Sequence, residues 1–201
     1  MEPSLLEKGQ KLFLEHGGML RSSQAIRLGL NPRVLYAMRD QKLIQEVTRG
    51  VYRLCNIGRL ENGGFAIIGL KIPQGVICLL SALAYYDLTD EIPSKIHVAL
   101  KKGAEKPRLV YPALRCFWFS ETSFETGIET HVIDNVMVRI YSPEKTLADC
   151  MKFRNKIGKD LVIGTLKCWR ERRRKHMDTL IEYARICRVE NVMRLYLEVL
   201  L

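Results

Sequence analysis

The residues best suited to do chemistry lie in the stretch NPRVLYAMRDQKLIQEVTRGVYRL at positions 31–54. On a helix that turns by about 100° per residue, one face carries Arg33, Tyr36, Ala37 and Asp40. The opposite face carries the apolar residues Val34, Leu35 and Met38. An arginine near the start of such a helix can bond a guanine with both arms of its guanidinium in the major groove of DNA. The pattern therefore favours a helix that reads DNA bases.

Other side chains near this helix are suited to the DNA backbone. Arg39 flanks the outward face and Lys42 follows the helix, so both are placed to contact phosphates. Asn31 and the free N–H groups of the first helical turn can also hold a phosphate. Arg49 lies at the tip of a predicted hairpin, from which it can enter a minor groove. Together these positions predict phosphate contacts next to the base-reading residues.

Asp40 does not fit this pattern, because a carboxylate that faces DNA repels phosphate. Two roles remain open for it: it can accept a hydrogen bond from a cytosine amino group, or it can neutralise a neighbouring arginine. A plainer alternative accounts for the whole face, since a helix on any protein surface is polar outside. The order of caps, helix and hairpin favours the DNA-binding interpretation.

Two earlier helices are predicted to support this one. The first covers about Pro3–His16 and ends at Gly17-Gly18, which can form a left-handed turn without steric cost. Its buried stripe consists of Leu5, Leu6, Leu12 and Phe13. A second helix begins at a cap provided by Ser22 or Ser23 and ends at Gly29. A helix, a turn that contains glycine and a second helix, in this order, are typical of a helix-turn-helix.

The third helix and the hairpin complete the predicted domain. Asn31 caps the helix, and Pro32 takes its first position, where a missing N–H costs nothing. Two strands over Leu43–Val47 and Val51–Leu54 flank a turn in which Gly50 can adopt a positive φ. A hairpin attached to a helix-turn-helix is a wing. Residues 1–56 are therefore predicted to form a winged helix-turn-helix DNA-binding domain.

The rest of the chain, residues 57–201, is predicted to be an α+β domain with a helical C-terminus. Two helices are expected before about Asp87, with a break at Pro73 and Gly75. Three segments are rich in β-branched and aromatic residues and are predicted to be strands: KIHVALKK, LRCFWFS and HVIDNVMVRIYS. A helix follows the cap Ser142, and the last helices are expected at about 159–175, 177–187 and 190–200.

Positive charge is concentrated in two separate regions. The 201-residue chain has a formal net charge of +10, of which residues 1–54 supply +4 and residues 151–176 supply +8. The second region contains a predicted basic surface made of Lys167, Arg170, Arg172, Arg173, Arg174 and Lys175. Such a surface is either a solvated helix face, a second contact for phosphates, or a contact for a partner protein or its RNA substrate.

No catalytic residue, metal site or cofactor is predicted. The six cysteines are scattered, without a C-x-x-C pair or a nearby pair of histidines. Glu144, Lys145 and Asp149 in SPEKTLAD invite a catalytic interpretation, but Ser142 as a cap and Glu144 in the first turn are what a helix start requires. The start of the chain has no signal-peptide pattern, and no apolar run could cross a bilayer. A cytoplasmic protein without a membrane partner is expected.

Three motifs resemble the AbiEi antitoxins of AbiE-type (type IV) toxin–antitoxin systems. GGMLRSSQAIRLGLNPRVLYAMRDQKLIQEVTRGVYRL is similar to the winged-helix domain of that family. LLSALAYYDLTDEIPSKIHVAL resembles its helix-then-strand segment, and YSPEKTLADC resembles the S-P-E-[RK]-T-L-x-D stretch of its second domain. The resemblance extends over nearly the whole chain, and the three motifs in this order and spacing are much more specific than the first motif alone.

The resemblance implies a repressor that also acts as an antitoxin. Such a protein binds double-stranded DNA at inverted repeats upstream of its own operon, and its second domain counters a toxin of the nucleotidyltransferase type. The DNA-binding role then falls on Ser22, Ser23, Asn31, Arg33, Tyr36, Arg39 and Arg49. Asp40 departs from the family's pattern, in which a basic residue is more usual.

Two functions of other classes remain as alternatives. The first is a nuclease with a winged-helix guide domain, which would need a cluster of carboxylates to hold a divalent metal ion. The second is a protein-interaction module whose winged helix does not bind DNA. Magnesium-dependent cleavage would favour the nuclease, and absence of DNA affinity at low salt would favour the interaction module.

Overall fold

The computed structural model describes residues 3–58, 62–172 and 176–200 of the chain. Both helices and β-sheets are present, so the predicted α+β class is confirmed. The chain divides into two units. The first consists of Met1–Pro73, Arg108–Pro112 and His131–Val138, and the second of Gln74–Pro107, Ala113–Thr130 and Arg139–Leu201. Among the described residues, no helix is long and apolar enough to cross a membrane.

The first unit contains the predicted helices and hairpin in the predicted order. Its elements are α1 (Pro3–Glu15), β1 (Met19–Arg21), α2 (Ser22–Arg27), α3 (Pro32–Asp40), β2 (Ile44–Thr48), β3 (Val51–Leu54) and α4 (Gly63–Lys71). The three strands form an antiparallel sheet in the order β1-β3-β2. Gly50, in the turn between β2 and β3, has a φ of +72°, as the turn prediction required.

The core of the first unit lies between α1, α3 and the small sheet. Phe13 of α1, Leu35 and Met38 of α3 and Leu54 of β3 are all almost fully buried. The two helices approach so closely that a Cβ added to Gly9 would lie 2.5 Å from the Met38 sulfur. The apolar face of α3 is therefore held against α1, which leaves its polar face outward.

Two details of the first unit differ from the sequence predictions. The residue before α2 is Arg21, not Ser22 or Ser23, and its backbone N–H donates to the Gln24 side chain at 3.1 Å. Leu5 was assigned to the buried stripe of α1 but is 39% exposed. The helical period places Leu5 at the edge of that stripe, where it stays partly open to solvent.

The second unit is built on mixed strands and a set of C-terminal helices. Its elements begin with β4 (Val76–Ile77), α5 (Leu79–Tyr85), β5 (Ile96–Lys101), β6 (Leu114–Phe119) and α6 (Glu121–Glu125). They continue with β7 (Ile128–Ile133) and β8 (Val136–Tyr141), of which residues 131–133 and 136–138 are counted with the first unit. The remaining elements are α7 (Pro143–Lys152), α8 (Arg154–Ile157), α9 (Lys159–Glu171), α10 (Met177–Ile186) and α11 (Glu190–Leu200). The strand order of the larger sheet is β6-β5-β4-β8-β7.

Several predicted boundaries in this part of the chain are wrong. Residues 76–77, assigned to a helical stretch, form β4, because they pair with β5 on one side and with β8 on the other. The segment HVIDNVMVRIYS contains the second half of β7 and the whole of β8. They are joined by Asp134 and Asn135, whose φ values of 48° and 58° reverse the chain. The short helices α6 and α8 were not predicted.

The core of the second unit surrounds α7. Tyr141, Leu147, Met151, Leu166 and Trp169 are completely buried in it. The cap predicted for α7 is confirmed: Ser142 accepts a hydrogen bond from the Lys145 backbone N–H, and Pro143 occupies the first helical position. The core therefore forms around the SPEKTLAD motif.

Candidate nucleic-acid interface

Helix α3 begins and is oriented as its sequence predicts. The Asn31 Oδ1 accepts a hydrogen bond from the Arg33 backbone N–H at 2.9 Å, which satisfies one of the free donors of the first turn. Val34, Leu35 and Met38 are buried, whereas Arg33 is exposed and Tyr36 is 49% exposed. The predicted division of α3 into an inner and an outer face is therefore present in the structure.

The outer face of α3 is less uniform than the helical wheel suggests. Ala37 is only partly exposed, and it packs against the core cluster of the first unit. Its methyl group is therefore less available for contact than the phenol of Tyr36. Arg33 and Tyr36 are the two large side chains of this face that are open to solvent.

In the structure Asp40 pairs with an arginine, which is one of the two roles left open for it by the sequence. Its Oδ1 accepts hydrogen bonds from the Arg39 Nε at 3.1 Å and from the Arg39 Nη2 at 2.9 Å. The same guanidinium lies over the Tyr36 ring, 5.2 Å from the centroid. The hydrogen bond to Asp40 raises the pKa of Arg39, with a smaller contribution from Tyr52. Arg39 is therefore held in place in the free protein.

Tyr52 is a residue at this site that sequence reasoning missed. It lies on β3, is 5% exposed, and sits close enough to Arg39 and Glu46 for their charges to affect its phenol. Burial is the main cause of the raised pKa of Tyr52, and Glu46 adds to it. The alternation of strand residues could have indicated an inward Tyr52, but only the packing brings its ring near Arg39 of α3.

The backbone of the hairpin tip is held by hydrogen bonds within the first unit. The Gly50 N–H donates to the Glu46 side chain at 2.7 Å, and the Gly50 carbonyl accepts from the Ser22 N–H at 3.0 Å. The Lys71 ammonium donates to the Arg49 carbonyl at 2.8 Å. These bonds leave the Arg49 side chain exposed on a turn whose backbone is held at several points.

The remaining predicted DNA contacts are accessible to different degrees. Ser23 and Lys42 are exposed, and Ser22 is half-buried at the start of α2. Lys42 follows α3 with a φ of 58°, so the chain turns sharply at that residue. The structure thus brings Ser22 next to the hairpin tip and Tyr36 next to Arg39.

The second basic surface differs from its prediction. The helix expected to reach residue 175 ends at Glu171, and Arg172 has an extended backbone. The Arg172 guanidinium, just past the helix end, donates to the Tyr86 carbonyl. Lys167 is exposed and Arg170 is half-buried. Arg173, Arg174 and Lys175 lie outside the described residues.

The carboxylates and lysine of SPEKTLAD are internal. The Lys145 ammonium lies 2.7 Å and 2.6 Å from the two Asp149 oxygens, and both side chains are completely buried. The Glu144 carboxylate accepts from the Trp169 indole N–H at 3.2 Å. Burial raises the pKa of Asp149, although Lys145 opposes this. Within the described part of the chain, no three His, Cys, Asp or Glu side chains are grouped as metal ligands.

Comparisons with known proteins found a match to the N-terminal segment and a match to the fold. No curated protein matches the sequence significantly. Among solved structures, the chain is similar to the RV2827C protein from Mycobacterium tuberculosis, with a TM-score of 0.57 and 11% sequence identity. The similarity covers 93% of this chain and 77% of that one, and at this identity it shows the fold alone. The model of a family described as a transcriptional regulator, AbiEi antitoxin, matches residues 10–54. The resemblance to AbiEi antitoxin regulators is therefore shown for residues 10–54, the segment that carries α2, α3 and the hairpin.

Proposed function

We propose that this chain is a DNA-binding transcriptional repressor and the antitoxin of a type IV toxin–antitoxin system. In this proposal residues 1–56 form a winged helix-turn-helix that binds inverted repeats upstream of the chain's own operon. Residues 57–201 form the antitoxin domain, which counters a toxin of the nucleotidyltransferase type. A repressor of its own operon acts in the cytoplasm, where its DNA is.

One observation carries the DNA-binding part of the proposal. Helix α3 buries Val34, Leu35 and Met38 and leaves Arg33 and Tyr36 open to solvent near its N-terminus. A recognition helix needs this arrangement, because its first turns must reach base edges while its other face anchors it to the domain. The guanidinium of Arg33 offers two parallel donors to a guanine.

The phosphate contacts of the proposal come from three places around α3. Exposed Lys42 follows the helix, Arg49 extends from the hairpin tip, and Ser23 lies in the first turn of α2. Ser22 contributes its hydroxyl at the start of α2, where its N–H already donates to the Gly50 carbonyl, and Asn31 contributes its side-chain amide at the start of α3. Arg39 is paired with Asp40 in the free protein, so part of its charge and donor capacity is already used before it meets a phosphate.

The proposal is tested by replacing Arg33 with alanine. Operator binding is expected to weaken by about 1–3 kcal/mol, and the base preference to relax at one position of each half-site. The measurement is a titration of DNA from upstream of the chain's own gene and of random DNA, by fluorescence anisotropy. Lys11→Ala is the matched control, because it removes the same charge from α1, where Lys11 is 78% exposed.

Equal loss of binding to operator and random DNA in Arg33→Ala would show that Arg33 contributes charge and does not read bases. Lack of DNA affinity at low salt would overturn the repressor function and favour a protein-interaction module. The antitoxin part is tested separately, by co-expression with the nucleotidyltransferase-type toxin that this proposal expects to be encoded in the same operon. Growth that is not restored would overturn it, whatever the DNA result.

The second basic surface is proposed as a further contact for phosphates. Each phosphate neutralised adds roughly 0.9 to the slope of log affinity against log salt. A Lys167→Ala, Arg173→Ala, Arg174→Ala variant should therefore have a shallower slope on operator DNA. Arg172 is kept, because it donates to the Tyr86 carbonyl and its loss would disturb the fold. An unchanged slope would leave the surface without a DNA role.

A further inference from the structure

A pocket of about 460 Å³ lies in the second unit, away from every residue proposed to bind DNA. Its lining comes from α5, the segment before β5, the two parallel strands β5 and β6, and α8. A volume of this size accepts a small organic molecule and is several times larger than a single inorganic ion. The residues that line the pocket define what kind of molecule it suits.

Positive charge dominates the polar part of the lining. Lys95, Arg115 and Lys156 all border the pocket, and Glu91 is the one acidic residue among the residues that line it. The Arg115 guanidinium lies 5.3 Å from the centroid of the Phe117 ring, and the Lys156 ammonium lies 5.6 Å from that of Phe153. These rings hold the two cations without neutralising them. The lining therefore has a net charge of about +2 while histidine is neutral.

His97 adds a buried polar group to this lining. It is 4% exposed, and β5 and β6 pair in a register that makes Arg115 its direct neighbour. Its backbone is fixed on both sides: the N–H donates to the Ser81 hydroxyl at 2.9 Å, and the carbonyl accepts from the Cys78 N–H at 3.0 Å. The His97 ring is therefore held in place at the pocket.

The His97 ring has hydrogen-bonding capacity that the protein does not use. Its Nδ1 is buried and has no hydrogen-bond partner among the described residues. Burial, with the charge of Arg115 as a second cause, lowers the pKa of His97 to about 4. The ring is therefore neutral near pH 7, so it can donate one hydrogen bond to an oxygen without adding charge. Buried polar groups are usually paired, so an unpaired one beside a pocket indicates a place for a ligand atom.

The other side of the pocket is apolar. Leu80, Ile92, Pro93 and Ile157 contribute hydrocarbon surface, and Ser94 contributes a hydroxyl. Ile92 is 91% exposed, which leaves a large apolar side chain uncovered at this pocket. An anion alone would leave this surface in water, whereas an organic group attached to the anion would cover it.

We propose that this pocket binds a small phosphomonoester, with its phosphate at Arg115, Lys156 and His97 and its organic part against Leu80 and Ile92. A phosphomonoester carries a charge of about −1.5 to −2 at neutral pH, which matches the pocket's positive charge better than a single carboxylate does. Arginine offers a fork of donors to phosphate, and lysine offers a point charge. The proposal concerns the second unit alone and does not depend on DNA binding by the first.

The full chain is titrated with four probes: adenosine monophosphate, inorganic phosphate, adenosine and the dicarboxylate succinate. Calorimetry measures affinity, and NMR of the histidine rings reports where the probe binds. We expect adenosine monophosphate to bind more tightly than inorganic phosphate, adenosine to bind much more weakly than either, and the His97 ring signals to shift. Arg115→Ala and Lys156→Ala should each weaken adenosine monophosphate binding by about tenfold or more, because each removes a charge-assisted hydrogen bond.

Lys102→Ala is the matched control, since it removes an exposed lysine of the second unit that does not line the pocket. Its affinity should equal that of the unmodified chain. His97→Gln tests the role of the imidazole ring. If that variant does not fold, the affinities of Arg115→Ala and Lys156→Ala, which replace exposed side chains, still test the proposal. Any one of three results would overturn the proposal. These are no binding at millimolar probe, a loss of affinity in Lys102→Ala equal to that of the pocket variants, and NMR shifts at other histidines with none at His97. Tighter binding of succinate than of adenosine monophosphate would overturn the choice of phosphate.

Discussion

Breaking the buried ion pair of α7 should destabilise the second unit strongly. The Lys145 ammonium lies within 2.7 Å of both Asp149 oxygens, and neither side chain has any exposed surface. The Cys187 thiol also donates to Asp149, at 3.2 Å, and the Lys145 ammonium lies 4.3 Å from the centroid of the Tyr141 ring. Replacing one partner leaves the other charge buried without its counter-charge.

The magnitude follows from this complete burial. Removing one member of a buried pair costs about 3–5 kcal/mol, because water cannot solvate the charge that remains. A domain of ordinary size has a total stability of about 5–15 kcal/mol, so each single variant should come close to unfolding. Lys145→Met and Asp149→Leu should each show this loss. The double variant should lose less than the sum of the two by at least about 2 kcal/mol, since it buries no unpaired charge.

Urea unfolding followed by far-ultraviolet circular dichroism measures these free energies. The pair Lys11 and Glu15 on α1 is the surface control, because its charged groups are 3.9 Å apart and its side chains are 78% and 55% exposed. Alanine at either of those positions should cost at most about 1 kcal/mol. Additive losses in the α7 variants, or single losses as small as those of the surface control, would refute the reasoning. Unchanged stability with lost antitoxin activity would instead favour a functional role for SPEKTLAD.

Three further predictions follow from other contacts. Asp40→Asn should raise DNA affinity and steepen the salt dependence by about 0.9, because Arg39 becomes free to contact phosphate; a loss of affinity in anisotropy titrations would mean that Asp40 itself contacts a base. In the folded protein His97 has a pKa of about 4, against an ordinary value of 6.5. Between these values the folded ring stays neutral while the unfolded ring binds a proton. The stability is therefore retained above pH 6.5 and lost as the pH falls toward 4. The free energy of unfolding, measured by urea titration, should fall by an amount on the order of 2 kcal/mol over this pH range. His97→Phe should not show this fall, whereas His16→Ala should still show it. Asn31→Ala should cost about 1 kcal/mol through the lost cap of α3, whereas Asn31→Ser should restore most of it; equal unfolding midpoints for all three chains would contradict the capping role.

Local interactions explain why helices α1 to α3 and the hairpin could be predicted closely. The cap at Asn31, the first-turn Pro32, the buried stripe of α3 and the positive φ at Gly50 all depend on residues within a few positions of each other. Such preferences act through backbone geometry and helical period, which the order of residues contains directly. The outward exposure of Arg33 and Tyr36 follows from the same period. These are the features of the candidate interface that the sequence determined by itself.

Tertiary structure decided the features that join distant parts of the chain. Val76 and Ile77 become a strand because β5 and β8 lie on either side of them, and nothing local in the sequence specifies those neighbours. The Arg172 guanidinium donates to the carbonyl of Tyr86, which lies 86 positions earlier in the chain. His97 and Arg115 line one pocket only because β5 and β6 pair in parallel at that register. Long-range pairing and burial set these contacts, and their energies depend on which surfaces meet after the chain has folded.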